Sequence, residues 1–214
     1  MIKMISVELL ILILINTVFF LVLIVKSIVS STPQKYENVT KAEIVILGIA
    51  FTQYFVTFII ENSNVLDEDS QLFAQQLRYV DWLVTTPLLL YTYWKLANVE
   101  GYTGDFALLF IADVVMIVCG AISEVYTKNK RIRLIFYGIG CLAYIYILIK
   151  IVDIMNFFKN KGQSDRRNLG WFFIFGWLIY PLAYFFNDNL KFIIYSLGDF
   201  INKGVYSLCL SATL

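Results

Sequence analysis

The sequence predicts an all-α protein, a bundle of seven membrane-spanning helices. Of its 214 residues, 59% are hydrophobic and only 15% are charged, and the mean hydropathy is +0.73. These values are far too apolar for an ordinary soluble domain of this size. A helix needs roughly 20 apolar residues to cross a bilayer, and the apolar runs of this chain provide for about seven such helices.

The first apolar run, residues 5–28, is too long for a signal peptide and is followed by no small-residue cleavage site, so we interpret it as a span. The other predicted spans are residues 41–61, 72–96, 106–124, 131–157, 169–186 and 189–212. Short polar breaks separate them, at residues 30–35, 62–70, 100–105, 126–130, 160–167 and 187–188. None of these breaks could hold a second domain, so we predict one seven-helix membrane domain over residues 1–214.

The distribution of basic residues predicts the orientation of the bundle. Lys and Arg favour the cytoplasmic side of a membrane. With the N-terminus outside, nine of them lie on the cytoplasmic side and six on the outer side. We therefore expect an integral protein of the lipid bilayer with its N-terminus outside and its C-terminus in the cytoplasm.

Several classes of function are disfavoured by composition. The net charge of +1 and the absence of a long basic run argue against a nucleic-acid partner. The three cysteines lie in apolar runs and are odd in number, which disfavours a disulfide framework. Outside the charged pairs described next, no nucleophile–base pair or metal-ligand cluster is recognisable, so we expect neither a metal site nor an enzyme that turns over a chemical substrate.

Two pairs of charged residues lie inside predicted spans, where an ionisable group costs about 2.5–3.5 kcal/mol and by default marks a functional site. Arg78 and Asp81 share one face of the third span, and Asp199 and Lys203 share one face of the seventh. Together they form a neutral set, as expected of charges buried in a medium of low dielectric constant. A buried lysine is a candidate for Schiff-base formation with an aldehyde. The alternative is a purely structural ion-pair network.

Four segments of the chain resemble microbial rhodopsins of the bacteriorhodopsin and proteorhodopsin type. The third span contains RYVDWLVTTPLLL at residues 78–90, which resembles the third helix of those proteins. The seventh contains DFINK at residues 199–203, which resembles the proteorhodopsin helix that carries the retinal lysine. GWLIYP at residues 176–181 and IAFTQY at residues 49–54 resemble parts of the sixth and second helices.

This resemblance implies a covalent all-trans retinal cofactor on Lys203 and a role for each matched residue. Asp81 would be the primary proton acceptor, Thr85 its hydrogen-bond partner, and Asp199 the second counter-ion, with Arg78 completing the charged set. Leu89 matches a position that tunes colour and goes with green absorption in proteorhodopsins. The walls of the retinal pocket would include Tyr54, Trp82, Trp177, Tyr180, Pro181 and Tyr184, with Asp113 and Met116 near the ionone ring.

The chain departs from the pumps of this family at the position of the cytoplasmic proton donor. A carboxylate is expected eleven residues after the acceptor, about three helical turns further in, but this position is Thr92. Reprotonation should therefore be slow unless another acid substitutes, and Glu43 is the candidate. The alternative for Glu43 is a carboxylate that faces a loop or snorkels near a helix N-terminus. The histidine usual beside the acceptor in proteorhodopsins is absent, and Gln53 matches its position.

These observations favour a light-driven retinal protein, similar to a proton pump with slow reprotonation. A light-gated ion channel or a photosensory receptor is the alternative, since Glu43 and Asn202 could line a path. A seven-helix protein without photochemistry is the third possibility. Expected partners are lipid, protons or small ions and, by family resemblance, further copies of the chain. Because it lacks the usual proton donor, the chain also resembles rhodopsins of large algal viruses.

Overall fold

The computed structural model describes residues 7–29, 32–62, 68–126 and 128–214. The first two residues of the first predicted span and parts of the breaks at 30–35, 62–70 and 126–130 lie outside the described residues. Within the described part, the chain forms seven helical rods that run alternately up and down. The prediction of an all-α, seven-helix bundle is confirmed.

We number the rods α1 to α7. Four of them are single α-helices: α1 is Val7–Val29, α2 is Glu37–Asn62, α3 is Glu68–Val99 and α5 is Lys130–Asn160. The other three contain a π-helical segment: α4 is Ala107–Ala121 with Ile122–Tyr126, α6 is Ser164–Trp171 with Phe172–Gly176 and Ile179–Ala183, and α7 is Asp188–Asp199 with Phe200–Val205 and Tyr206–Ser211. A short 3-10 turn, Gln34–Tyr36, leads into α2.

Hydropathy located the rods, but several helices begin four or five residues before the predicted spans. Helix α2 begins at residue 37, α3 at 68 and α6 at 164, whereas the predicted spans begin at 41, 72 and 169. These first turns are polar, and acidic residues such as Glu37 and Asp165 suit a helix N-terminus. An apolar run therefore underestimates a helix whose polar end projects beyond the hydrocarbon region.

The outer surface of the bundle is apolar, as a bilayer requires. Leu134, Leu142 and Phe185 are 67%, 68% and 70% exposed, which would be unfavourable in water but suits contact with lipid tails. By length and composition alone, four stretches of the described residues qualify as membrane spans: Ile11–Val29, Gln34–Ile60, Ala107–Tyr126 and Lys130–Asn160. Among the described residues, α3, α6 and α7 are not in this set. Helix α3 carries buried charges, and α6 and α7 are each divided into shorter segments.

Two buried apolar regions enclose the polar interior. One packs Tyr93, Phe173 and Tyr206, contributed by α3, α6 and α7, against the inner face of α5. The other joins α1 to α2 through Phe20 and Tyr54. Between these regions lie the charged residues of α3 and α7. Two ends of the bundle are named below by a residue that each contains: the Glu100 end, where α3 stops, and the Glu124 end, where α4 stops.

Candidate functional site

The charged residues predicted on the third and seventh spans meet at the centre of the bundle. The Lys203 amine of α7 donates a hydrogen bond to Oδ2 of Asp81 on α3 and lies 3.6 Å from Oδ1 of Asp199. All three residues are at most 3% exposed. A cation is thus buried between two carboxylates, the pairing that a low-dielectric interior demands.

Asp199 is held by three hydrogen-bond donors from three helices. Oδ2 accepts from the hydroxyl of Tyr54 at 3.0 Å. Oδ1 accepts from the indole nitrogen of Trp82 at 3.0 Å and from the hydroxyl of Tyr180 at 2.9 Å. Aromatic residues that the sequence assigned to the pocket walls therefore also fix the orientation of this carboxylate.

Asp81 accepts fewer hydrogen bonds than Asp199. Its Oδ1 is buried and has no hydrogen-bond partner among the described residues. The expected partner Thr85 donates instead to the backbone carbonyl of Asp81, at 2.9 Å. This bond, from residue i to residue i−4, is the usual choice of a threonine inside a helix, and it leaves one oxygen of Asp81 available.

Arg78 does not complete the charged set in the expected way. Among the described residues, no ion pair joins it to Asp81 or Asp199 within 4.0 Å. Its guanidinium carbon lies 4.1 Å from the ring centre of Phe192 and 5.4 Å from that of Tyr195. The face of an aromatic ring attracts a cation, so the aromatic residues of α7 hold Arg78 on the Glu124 side of the aspartates.

A cavity of about 110 Å³ lies beside this cluster. One water molecule needs roughly 10–15 Å³, so the space admits a much larger apolar group. Trp82 and Tyr180 line the cavity and also donate to Asp199, which connects it to the charged centre. Its walls include other residues that the sequence assigned to a retinal pocket: Met116, Trp177, Pro181 and Tyr184.

Three other residues assigned to the pocket lie outside the walls of this cavity. Asp113 is fully buried behind the wall, where one oxygen accepts a 2.8 Å hydrogen bond from Thr86, a lining residue. Leu89 packs in the apolar core of the bundle. Tyr54 contacts the site through Asp199. Gln53, at the position of the missing histidine, donates at 3.2 Å to Thr57 on its own helix.

Glu43 faces the interior of the bundle. It is 2% exposed, and its Oε1 accepts hydrogen bonds from Ser211 at 3.1 Å and from Ser27 at 3.5 Å. It also lines a polar cavity of about 170 Å³ near the Glu100 end. These contacts favour a carboxylate inside the bundle over one that snorkels or faces a loop. Thr92, at the usual donor position, is likewise buried and lies 2.9 Å from the hydroxyl of Tyr206.

A largely buried cluster surrounds Glu124 at its end of the bundle, and its contacts were not predicted from the sequence. Glu124 accepts hydrogen bonds from Tyr79 at 2.6 Å and Tyr195 at 2.9 Å, and it forms a 2.9 Å ion pair with Lys191. These residues come from α3, α4 and α7, so no local spacing predicts their contact. The available signal was an acidic residue at the end of an apolar span, which more often marks a solvated surface position.

Comparison with known proteins gives a match over almost the whole chain. The family model described as "Bacteriorhodopsin-like protein" matches residues 3–214. Green-light absorbing proteorhodopsin from Gamma-proteobacterium EBAC31A08 is 33% identical over 149 residues, which cover 61% of this chain and 57% of that protein. The aligned segment therefore spans little more than half of this relative.

Solved structures match over nearly the full length. The crystal structure of Exiguobacterium sibiricum rhodopsin superposes with a TM-score of 0.82 at 24% identity, covering 96% of this chain and 94% of that one. Blue light-absorbing proteorhodopsin from Med12 superposes with a TM-score of 0.77 at 25% identity, covering 96% and 97%. The arrangement of the seven helices is therefore shared with these proteins.

Proposed function

The chain belongs to the bacteriorhodopsin-like family of microbial rhodopsins, and from this premise we propose that it is a light-driven retinal protein that moves protons. It is an integral membrane protein, and members of its family bind retinal through a Schiff base on a lysine. In this chain we assign that role to Lys203 and the role of proton acceptor to Asp81. The observation that carries the proposal is the buried Lys203 amine between two aspartates, beside an aromatic cavity.

The residues around the cavity fit retinal. Trp82, Trp177 and Tyr180 provide flat apolar surfaces of the kind that pack against a conjugated chain. The unpartnered Oδ1 of Asp81 marks a polar position beside the point of attachment. When bound, retinal supplies the absorption of visible light and an isomerisation that changes the surroundings of the Lys203 nitrogen.

The two aspartates differ in their capacity to take a proton from that nitrogen. Three donors already occupy the oxygens of Asp199, so it serves as the fixed negative charge that balances the site. Asp81 contacts the amine through Oδ2 and keeps Oδ1 without a partner. Asp81 therefore holds the transferred proton, while Asp199 keeps the amine and the aromatic walls in place.

Glu43 is the proposed source of the returning proton. It lies near the far end of α7 from Asp199, where Ser211 donates both to Glu43 at 3.1 Å and to the carbonyl of Ser207 at 2.8 Å. Ser207 and Ser211 follow Lys203 by one and two helical turns. These hydroxyls support a polar route between Glu43 and Lys203. Since no carboxylate occupies the Thr92 position, the returning proton has to come from Glu43, which contacts α7 two helical turns beyond Lys203, and for this reason we propose slow reloading.

Direction follows from the proposed topology, in which the N-terminus is outside and the C-terminus is cytoplasmic. The Glu124 end then faces outward, and the Glu100 end with Glu43 faces inward. A proton that leaves Lys203 for Asp81 moves toward the outer half of the bundle, where Arg78 and Glu124 lie. The net movement is outward.

Illumination of cells that contain the full chain and retinal tests this function. The medium should acidify in the light, and a protonophore should abolish the change. Asp81→Asn should remove the signal, because an amide cannot accept the proton as a carboxylate does. The matched control is Asp153→Asn, which changes a half-exposed carboxylate on α5 and should leave the signal intact. Unchanged acidification by Asp81→Asn would contradict the assignment.

A light-gated channel is the second candidate, favoured by the polar cavity that Glu43 lines together with Lys26 and Thr40. Voltage clamp during illumination separates the two functions. A pump drives an outward current against an opposing proton gradient, whereas the current of a channel reverses its direction with the ion gradient. Reversal would replace the pump with the channel.

A further inference from the structure

The residue before Lys203 connects α7 directly to α6. Asn202 is 2% exposed, and its amide nitrogen lies 2.9 Å from the backbone carbonyl of Gly176 and 3.3 Å from the hydroxyl of Tyr180. Both partners belong to α6. Because Asn202 and Lys203 are adjacent in the chain, any displacement of the lysine backbone acts on this contact.

The contact joins two helical irregularities. Asn202 and Lys203 lie in the π-helical segment of α7, Phe200–Val205, and Gly176 ends the π-helical segment of α6, Phe172–Gly176. A π-helical segment inside an α-helix contains one extra residue per turn, and such segments are frequent at functional sites. Each is a place where a helix can change its local hydrogen-bond register at limited cost.

Gly176 is required by this arrangement for steric reasons. A Cβ atom at this position would overlap the side-chain oxygen of Asn202. The side chain of Asn202 therefore fits against α6 only because residue 176 has no side chain. Immediately beyond it, Trp177 and Leu178 form a turn before the helix continues as Ile179–Ala183, with Pro181 at its centre.

We propose that Asn202 is a positioning residue that transmits displacement at Lys203 to α6, by pulling on Gly176 and Tyr180 through its side-chain amide. This inference rests on the proposed function, since light must first move Lys203. Coupling between two parts of a protein requires an element with two discrete arrangements that both parts influence. In this proposal the facing π-helical segments, Phe172–Gly176 and Phe200–Val205, are that element. Asn202 also contacts Tyr180, which donates to Asp199. Displacement of Asn202 therefore also acts on the hydrogen bonding of Asp199.

A spin-label distance measurement on the retinal-bound full chain tests the proposal. The three native cysteines are first replaced by alanine, and labels are placed at two exposed helix ends, Lys41 on α2 and Asp165 on α6. The distance is compared in the dark and after trapping under illumination. In the parent protein, light should change the distance between the labels.

Two variants remove the contact in different ways. Asn202→Leu keeps the approximate size of the side chain but removes its hydrogen bonds, and Gly176→Ala displaces Asn202 by occupying its space. Each should reduce the light-induced change roughly fivefold or more while keeping the visible absorption band. The matched control is Gly138→Ala on α5, where an added Cβ would meet no atom within 4 Å, and its response should equal that of the parent.

The outcomes separate this inference from the function on which it rests. A full distance change in Asn202→Leu, or no change in the parent protein, overturns the coupling role even if light still drives proton movement. A protein that stays colourless with retinal overturns the proposed function first. If a variant loses its colour through misfolding, the other variant provides the test, because each removes the same contact independently.

Discussion

At the scale of single residues, the unequal hydrogen bonding of two aspartates decides the assignment of roles. Both carboxylates contact Lys203, but Asp199 accepts three further hydrogen bonds, whereas Asp81 keeps one oxygen without a partner. The proximity of these residues follows from their spacing on two helices. The difference in hydrogen bonding between Asp81 and Asp199 does not follow from this spacing, because the donors to Asp199 come from three helices that are distant in sequence.

The role of Glu43 is tested at this scale by Glu43→Gln. An amide cannot donate a proton as a carboxylic acid does, so return to the dark state should slow by roughly a hundredfold. The measurement is the recovery of visible absorption after a laser flash at neutral pH. A small membrane-permeant weak acid should restore much of the rate, because it delivers the missing proton directly.

The control is Glu37→Gln, which lies on the same helix but in an exposed ion pair with Lys41. Its recovery should match that of the unmodified protein. If Glu43→Gln also recovers at the normal rate, Glu43 is not the donor, and its buried contacts with Ser27 and Ser211 are structural.

At the scale of helices, sequence reasoning located all seven rods but could not foresee their irregular segments. Apolar runs reveal where a helix crosses the membrane, but the tight turn predicted at residues 187–188 lies slightly earlier, at residues 184–187. Asp188 is already helical, and the side chain of Asn187 caps α7 by accepting from the backbone nitrogen of Leu190. The π-helical segments in α4, α6 and α7 depend on contacts between helices. Periodicity along one helix does not contain that information.

A substitution at Glu124 tests whether its cluster stabilises the packing between α3, α4 and α7. Glu124→Gln should lower the temperature at which the visible band is lost on heating, because it removes the ion pair with Lys191 and weakens the hydrogen bonds from Tyr79 and Tyr195. The loss should be at least comparable to that of an exposed ion pair, up to about 1 kcal/mol, because both side chains of this pair are largely buried. An unchanged bleaching temperature would show that the cluster contributes little to helix packing.

At the scale of the whole molecule, one carboxylate connects several segments at the Glu100 end. Glu100 accepts a hydrogen bond from Tyr36 at 2.5 Å and forms ion pairs with Arg166 at 2.8 Å and Lys35 at 3.2 Å. Arg166 also donates to the carbonyl of Thr213 near the C-terminus, at 3.1 Å. The entry to α2, the end of α3, the start of α6 and the C-terminal segment are thereby linked.

This network predicts a dependence of stability on pH. The hydrogen bonds from Tyr36 and Arg166 lower the pKa of Glu100 from 4.5 to about 2. A lowered carboxyl pKa contributes stability that is complete above pH 4.5 and is lost as the pH falls toward about 2. The contribution is no more than about 1 kcal/mol, because water screens a partly exposed network.

Thermal bleaching measured across this acidic range provides the test. The unmodified protein should lose stability more steeply than Glu100→Gln, whose amide does not titrate. Identical pH profiles for the two proteins would exclude a contribution of Glu100 to acid stability.

The sequence predicts the parts of the site that depend on spacing within one helix, and it does not predict the contacts between helices. That Lys203, Asp81 and Asp199 lie together was predicted, because charges in apolar helices are rare and their spacing places each pair on one helix face. The orientation of Arg78 toward Phe192, the bond between Asn202 and Gly176, and the cluster at Glu124 each require the relative rotation of two helices. That rotation is set by packing across the bundle.

The most direct test of the central claim is the absorption spectrum of the purified full chain after addition of all-trans retinal in the dark. We expect a new band in the visible region for the unmodified protein and no such band for Lys203→Ala, which lacks the amine that would bind the aldehyde. An unmodified protein that stays colourless, or a Lys203→Ala variant with the same visible band, would contradict the assignment of Lys203 as the site of attachment.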